Sequence, residues 1–139
     1  MTAKVRLAHS AGPAQNPKEL AAFYHNLLGL EVTLEGALPS MGDFVFLSDR
    51  PAEQVQTLAF MTQPLSKHIA WEVNSQAALK AVYADARARG IAIDRALDHG
   101  VTWSLYLHDP EGNGLEVFWS TGQPAGGLSA APLDLSRIE

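Results

Sequence analysis

His99-Gly-Val-Thr-Trp-Ser-Leu-Tyr-Leu-His-Asp-Pro-Glu-Gly-Asn-Gly-Leu-Glu-Val-Phe-Trp119 reads as strand, turn, strand. Residues Asp109 to Asn113 carry the Asp, Pro, Gly and Asn that tight turns need, between two apolar runs. The run after the turn alternates, with Glu116 on one face and Leu115, Val117 and Trp119 on the other. The stretch decides the fold because it has an echo about 60 residues earlier. Phe46 answers to Tyr106, Asp49 to Asp109 and Gln56 to Glu116.

Working outward, each half opens on an apolar strand that carries a histidine. These are Val5 to Ala11 with His9, and His68 to Val73, where His68, Ala70 and Glu72 face away from Ile69, Trp71 and Val73. Each half continues into an amphipathic helix that ends at a glycine, Gly29 or Gly90. Asn16, Pro17 and Glu19 supply a capping residue, a first-turn proline and a capping-box acid for the first helix. Leu20, Phe23, Tyr24, Leu27 and Leu28 form its apolar stripe. Ser75 caps the second helix, whose stripe is Leu79, Val82, Tyr83 and Ala86.

The reading is therefore α+β, two tandem βαβββ modules forming a cupped mixed β-sheet. It predicts strands at 5–11, 30–34, 42–48, 55–61, 68–74, 92–97, 102–108 and 114–120, with helices at 16–28 and 75–89. Residues 1–139 make one domain, with module 1 at about 5–64 and module 2 at about 65–120. The tail, 121–139, is rich in Gly, Pro, Ala and Ser and reads as extended or poorly ordered, or wrapped on a partner subunit.

Composition narrows the function. The net charge is −5, and no run of Lys and Arg is present, which argues against nucleic acid and anionic membranes as partners. Apolar residues make up 47% of the chain, but no run is long enough to span a membrane. The first residues lack the apolar core of a secretion signal, so a cytoplasmic location is expected. With no cysteine, disulfides, thiolate metal sites and cysteine nucleophiles are excluded. Any metal must be held by His, Asp or Glu.

Of 5 histidines, His9 and His68 hold equivalent places in the two halves. With Glu116 they make two imidazoles and one carboxylate, a set that leaves open positions on an octahedral ion and suits Fe(II) or Mn(II). Taken singly, a strand histidine is more often a hydrogen-bonded core residue than a ligand. Glu116 is harder to dismiss, since a buried carboxylate is costly. His25 falls on the solvated side of the first helix, and His108 lies beside the turn and reads as surface.

The stretch His99 to Glu116 resembles the signature of extradiol ring-cleaving dioxygenases, with His99, Leu105-Tyr106, Asp109-Pro110, Gly112 and Glu116 in its places. Phe23-Tyr24 and Leu27-Leu28-Gly29-Leu30 are similar to the first-helix end of the wider vicinal oxygen chelate superfamily. That superfamily also holds glyoxalase I and the bleomycin-resistance proteins. Leu97 departs from the signature, which prefers a smaller or β-branched residue there. The resemblance covers roughly residues 5–120. It implies that His9, His68 and Glu116 are metal ligands, that Tyr106 hydrogen-bonds a substrate oxygen, and that His99 lies near the substrate. It further implies Fe(II), with Mn(II) as the other candidate, a small aromatic diol and O₂ as substrates, and a homodimer. The metal site is then formed within one chain or shared between subunits.

Gln56 departs from the family. The dioxygenases carry a proton-transferring histidine in that region and glyoxalase I a fourth ligand, and an amide does neither job. Three functions stay open. The first is an Fe(II)-dependent extradiol dioxygenase, in which His99 replaces the missing proton carrier. The second is a glyoxalase- or fosfomycin-resistance-type isomerase or transferase, disfavoured because few Lys or Arg residues lie near the ligands. The third is a metal-free drug-sequestering protein, disfavoured by the intact ligand set.

Overall fold

The structure is a computed structural model and describes residues 5–63, 67–123 and 130–136. The expected module boundary at 64–65 lies outside the described residues. The elements run β1 (Val5–Pro13), α1 (Pro17–Leu28), β2 (Glu31–Leu38), β3 (Gly42–Ser48) and β4 (Leu58–Met61). They continue with β5 (His68–Val73), α2 (Gln76–Ala88), β6 (Ile93–Asp98), β7 (Thr102–His108), β8 (Gly114–Ser120) and β9 (Ala131–Pro132). The order βαβββ thus occurs twice, with a short ninth strand appended, and the fold class is α+β as expected. The backbone forms two compact units, one of Ala8–Ile69 and the other of Met1–Leu7 with Ala70–Glu139. Strands β1 and β5 each begin in one unit and end in the other.

In the Ala8–Ile69 unit, β3 pairs antiparallel with both β2 and β4, and β4 pairs parallel with β1. Alternation along β3 sends Val45 and Leu47 to one face, where they pack with Ala21 of α1. Phe44 and Phe46 go to the other face and pack with Ala11, Ala59 and Met61. Gly42 opens β3 at φ 69°, and a Cβ there would stand 2.0 Å from Thr62 Oγ1, so only glycine fits. Asn16 stands at the N-cap of α1 without the expected side-chain bond, while Gly29 closes the helix in the left-handed region as expected. The apolar stripe of α1 is broader than the face that the unit's own sheet covers. Ala21 is buried, whereas Phe23, Leu27 and Leu28 are exposed.

In the other unit, β7 pairs antiparallel with β6 and β8. Helix α2 lays Leu79 against Val73, Leu105, Leu107 and Val117. Ser75 Oγ accepts from Ala78 N at 3.0 Å, so the predicted cap is made. Part of the tail, expected to be extended or poorly ordered, or wrapped on a partner subunit, is an extended strand. β9 pairs with β6, and Leu135, only 2% exposed, closes the same core. An apolar Leu133-Asp134-Leu135 step after a proline is enough to dock a chain end when a core edge is open. Residues 124–129 and 137–139 of the tail lie outside the described residues.

Candidate metal centre and substrate face

His9 stands in the middle of β1, and its face is fixed by alternation and register. It shares parity with Ala11, which pairs with Ala59, which in turn pairs with Phe46. His9 therefore belongs to the face lined by Phe44, Phe46 and Met61, and it is itself buried. His68 opens β5. The two imidazoles meet edge to face with ring centroids 5.7 Å apart. Each offers one ligand nitrogen, and the two nitrogens lie within 4.8 Å of each other. Two imidazole donors at that spacing form one side of a coordination sphere that suits Zn, Fe or Mn.

The equivalence expected between Gln56 and Glu116 does not hold. Tyr106 pairs with Glu116 across β7 and β8, whereas Phe46 pairs with Ala59 across β3 and β4. The connection from β3 to β4 spans residues 49–57, against 109–113 from β7 to β8, and the longer loop moves the partner three places along the chain. Gln56 precedes β4, which starts at Leu58 and not at residue 55. The place that mirrors Glu116 is held by Ala59, whose methyl group neither ligates nor transfers protons.

In the other unit, the face opposite α2 carries polar groups. Tyr106 lies between its cross-strand partners Arg95 on β6 and Glu116 on β8. Glu116 is buried, and Ser104 Oγ donates to its Oε2 at 2.6 Å. His99 follows β6, and its Nε2 lies 2.9 Å from Tyr106 Oη. The guanidinium carbon of Arg95 sits 4.7 Å from the centre of the Tyr106 ring. Burial, and next the charge of Glu116, push the Tyr106 hydroxyl well above the usual tyrosine range, although Ser104 and Arg95 oppose this. The Tyr106 hydroxyl thus keeps its proton at neutral pH.

Ser104 and Arg95 were not among the residues picked out from the sequence. Ser104 shares strand parity with Tyr106, which was a usable signal. Arg95 had none, because β6 carries an irregularity between Ile93 and Arg95. Ile93 packs in the α2 core while Arg95 faces Tyr106, so simple alternation fails there. Few Lys or Arg residues are expected near the ligands, and Arg95 is one that lies beside Tyr106. The two remaining histidines are used elsewhere. His25 Nδ1 contacts Leu30 O at 2.7 Å, and exposed His108 pairs with Asp94 at 2.6 Å.

The chain belongs to the Glyoxalase/Bleomycin resistance protein/Dioxygenase superfamily, whose family model matches residues 6–117. No curated protein sequence matches it. Among solved structures it is similar to the 2,3-dioxygenase LapB from Pseudomonas sp. KL28, with TM-score 0.70 and 23% identity, over 92% of this chain and 46% of that one. It is also similar to the Mn(II)-bound glyoxalase from Novosphingobium aromaticivorans, with TM-score 0.71 and 17% identity, over 99% of this chain and 44% of that one. A third is the methylmalonyl-CoA epimerase of Streptomyces coelicolor, with TM-score 0.64 and 19% identity, over 84% of this chain and 98% of that one. The chain spans about half the length of the first two. These likenesses establish the vicinal oxygen chelate fold. Among the described residues no helix is long and apolar enough to cross a membrane.

Proposed function

We propose that the protein is an Fe(II)-dependent extradiol-type dioxygenase that cleaves a small catecholic ring with O₂. The observation that carries this reading is the contact between His99 Nε2 and Tyr106 Oη on the face that also holds Glu116. In the proposal His9, His68 and Glu116 hold the ion, with Fe(II) preferred and Mn(II) as the other candidate. The donor set fits a divalent ion, since two imidazoles offer nitrogens within 4.8 Å of each other and Glu116 is a buried carboxylate. When bound, such an ion supplies Lewis acidity that lowers the pKa of chelated phenols.

The chain's own residues do the rest. Neutral Tyr106 donates a hydrogen bond to a substrate oxygen, which orients the ring. His99 Nε2 receives or returns a proton through Tyr106 Oη, taking the role that the first half leaves empty. With Ala59 at the mirror position, the first half lacks the acid or fourth ligand that glyoxalase chemistry uses. That favours ring cleavage over the isomerase reading. Arg95 favours the transferase reading to the extent that an anionic substrate needs a cation. The sequestering reading is weakened by the paired imidazoles.

The proposal keeps the chain as one vicinal oxygen chelate domain of two modules, acting as a cytoplasmic homodimer. The exposed Phe23, Leu27 and Leu28 support an apolar contact with a second copy. The test is O₂ uptake by protein loaded anaerobically with Fe(II), on a panel of catechols. Uptake with a coloured ring-opened product, lost in metal-stripped protein and in His68→Ala, is the expected result. A bound metal with no uptake on any diol would overturn the dioxygenase reading.

A further inference from the structure

We infer that Arg95 is an anion anchor, and that the aromatic substrate carries a carboxylate which this guanidinium receives beside Tyr106. The inference rests on the catechol reading above and narrows its substrate class to catecholic acids.

Arg95 is half-buried, and its Nε is buried with no hydrogen-bond acceptor among the described residues. A guanidinium carries its charge at every accessible pH, so this arrangement is costly unless an anion arrives. The acids close to it in the chain and across the strands are engaged elsewhere. Asp94 pairs with His108, Asp98 Oδ1 accepts from Gly100 N, Glu116 Oε2 accepts from Ser104 Oγ, and Asp134 Oδ1, one residue past Leu133 whose N–H meets Ala96 O, accepts from Ser136 N and Oγ. The ring of Tyr106 holds the guanidinium by its face, at 4.7 Å, and leaves the N–H edge of the fork to another partner.

The position is specific. Arg95 and Glu116 are the two cross-strand partners of Tyr106, one on each side. A substrate whose oxygen meets Tyr106 Oη therefore has a cation on the β6 side of that ring. A planar carboxylate matches the guanidinium fork with two parallel hydrogen bonds. A neutral ring substituent would leave the Arg95 Nε as it stands, buried and with no acceptor among the described residues.

The probes are 3,4-dihydroxybenzoate, its methyl ester and 4-methylcatechol, with plain benzoate as a ligand that cannot chelate a metal. Binding to metal-free protein is read by tryptophan fluorescence, and turnover of the Fe(II)-loaded protein by O₂ uptake. The wild type is expected to bind both acids, and to prefer the dihydroxy acid over its ester by about 10- to 100-fold, the range for a hydrogen bond to a charged group. Arg95→Gln should remove that preference, read as the ratio of acid to 4-methylcatechol turnover in the same variant, while Arg95→Lys keeps part of it. Equal binding of acid and ester by the wild type would overturn the inference without any variant. An equal fall for acid and neutral diol in Arg95→Gln would also overturn it, marking Arg95 as support for Tyr106 alone. Acid binding that depends on Arg95, with no turnover of any diol, would keep the anchor and sink the dioxygenase reading. Turnover with no preference for the acid would do the reverse.

Discussion

Glu116 is a buried carboxyl, and Ser104 Oγ donates to its Oε2. Replacing Ser104 by Ala removes that donor from a buried carboxyl. The expected cost is about 1–3 kcal/mol of stability, and about 10- to 100-fold in metal affinity if Glu116 is a ligand. Urea unfolding and a competition titration with a coloured chelator measure the two. Unchanged values in both would show that Ser104 merely fills space. At this scale the sequence was informative where strand parity and spacing sufficed. His9, His68, Tyr106 and Glu116 all stand on strands at the expected places. It failed where a loop or an irregularity intervened. The longer β3–β4 loop made Gln56 look like the mate of Glu116, when the register gives that place to Ala59. The irregularity after Ile93 hid Arg95.

Among the elements, the two hairpins share a device. Asp109 Oδ1 accepts from Glu111 N and Asn113 N, each at 2.9 Å, and Oδ2 from Asn113 Nδ2 at 2.8 Å. Asp49 accepts from Thr57 Oγ1 at 2.6 Å in the corresponding turn. The Asn113 side chain foremost holds the Asp109 carboxyl below its usual pKa, and the Thr57 hydroxyl does the same for Asp49. A depressed folded pKa gives stability that is present above the unfolded value, about 3.9, and is lost as pH falls through the folded one. The urea midpoint should therefore fall on acidification below about pH 4, and Asp109→Asn should flatten that fall. Identical acid profiles for the two proteins would contradict this role. The turns were legible because Asp-Pro and Gly-Asn are strong local signals. The extent of β2 was not, since it runs to Leu38 through residues with little strand preference.

For the molecule as a whole, the repeat announced the superfamily fold, because period and turn chemistry survive where pairwise identity does not. The tail reads from its composition as extended or poorly ordered, and what was not legible is its packing, with Leu135 2% exposed among Val73, Leu79, Leu105, Leu107 and Val117. Leu135→Ala should cost about 2–5 kcal/mol, as for other buried leucines, read as a lower urea midpoint with an unchanged slope. A midpoint within error of the wild type would mean that the tail is not part of the folding unit in solution. The stripe on α1 was read correctly as helical, yet Phe23, Leu27 and Leu28 are exposed. Helical spacing states which residues share a face, and not how much of that face a neighbour covers.

The central claim is that His9, His68 and Glu116 hold one divalent ion. The most direct measurement is an anaerobic calorimetric titration of Fe(II), and separately Mn(II), into the wild type, His9→Ala, His68→Ala and Glu116→Ala, with circular dichroism to check folding. The expected result is one ion per chain in the wild type and a loss of at least about 100-fold in affinity in each folded variant. Binding that survives all three substitutions, or a wild type that takes up no ion, would contradict the account.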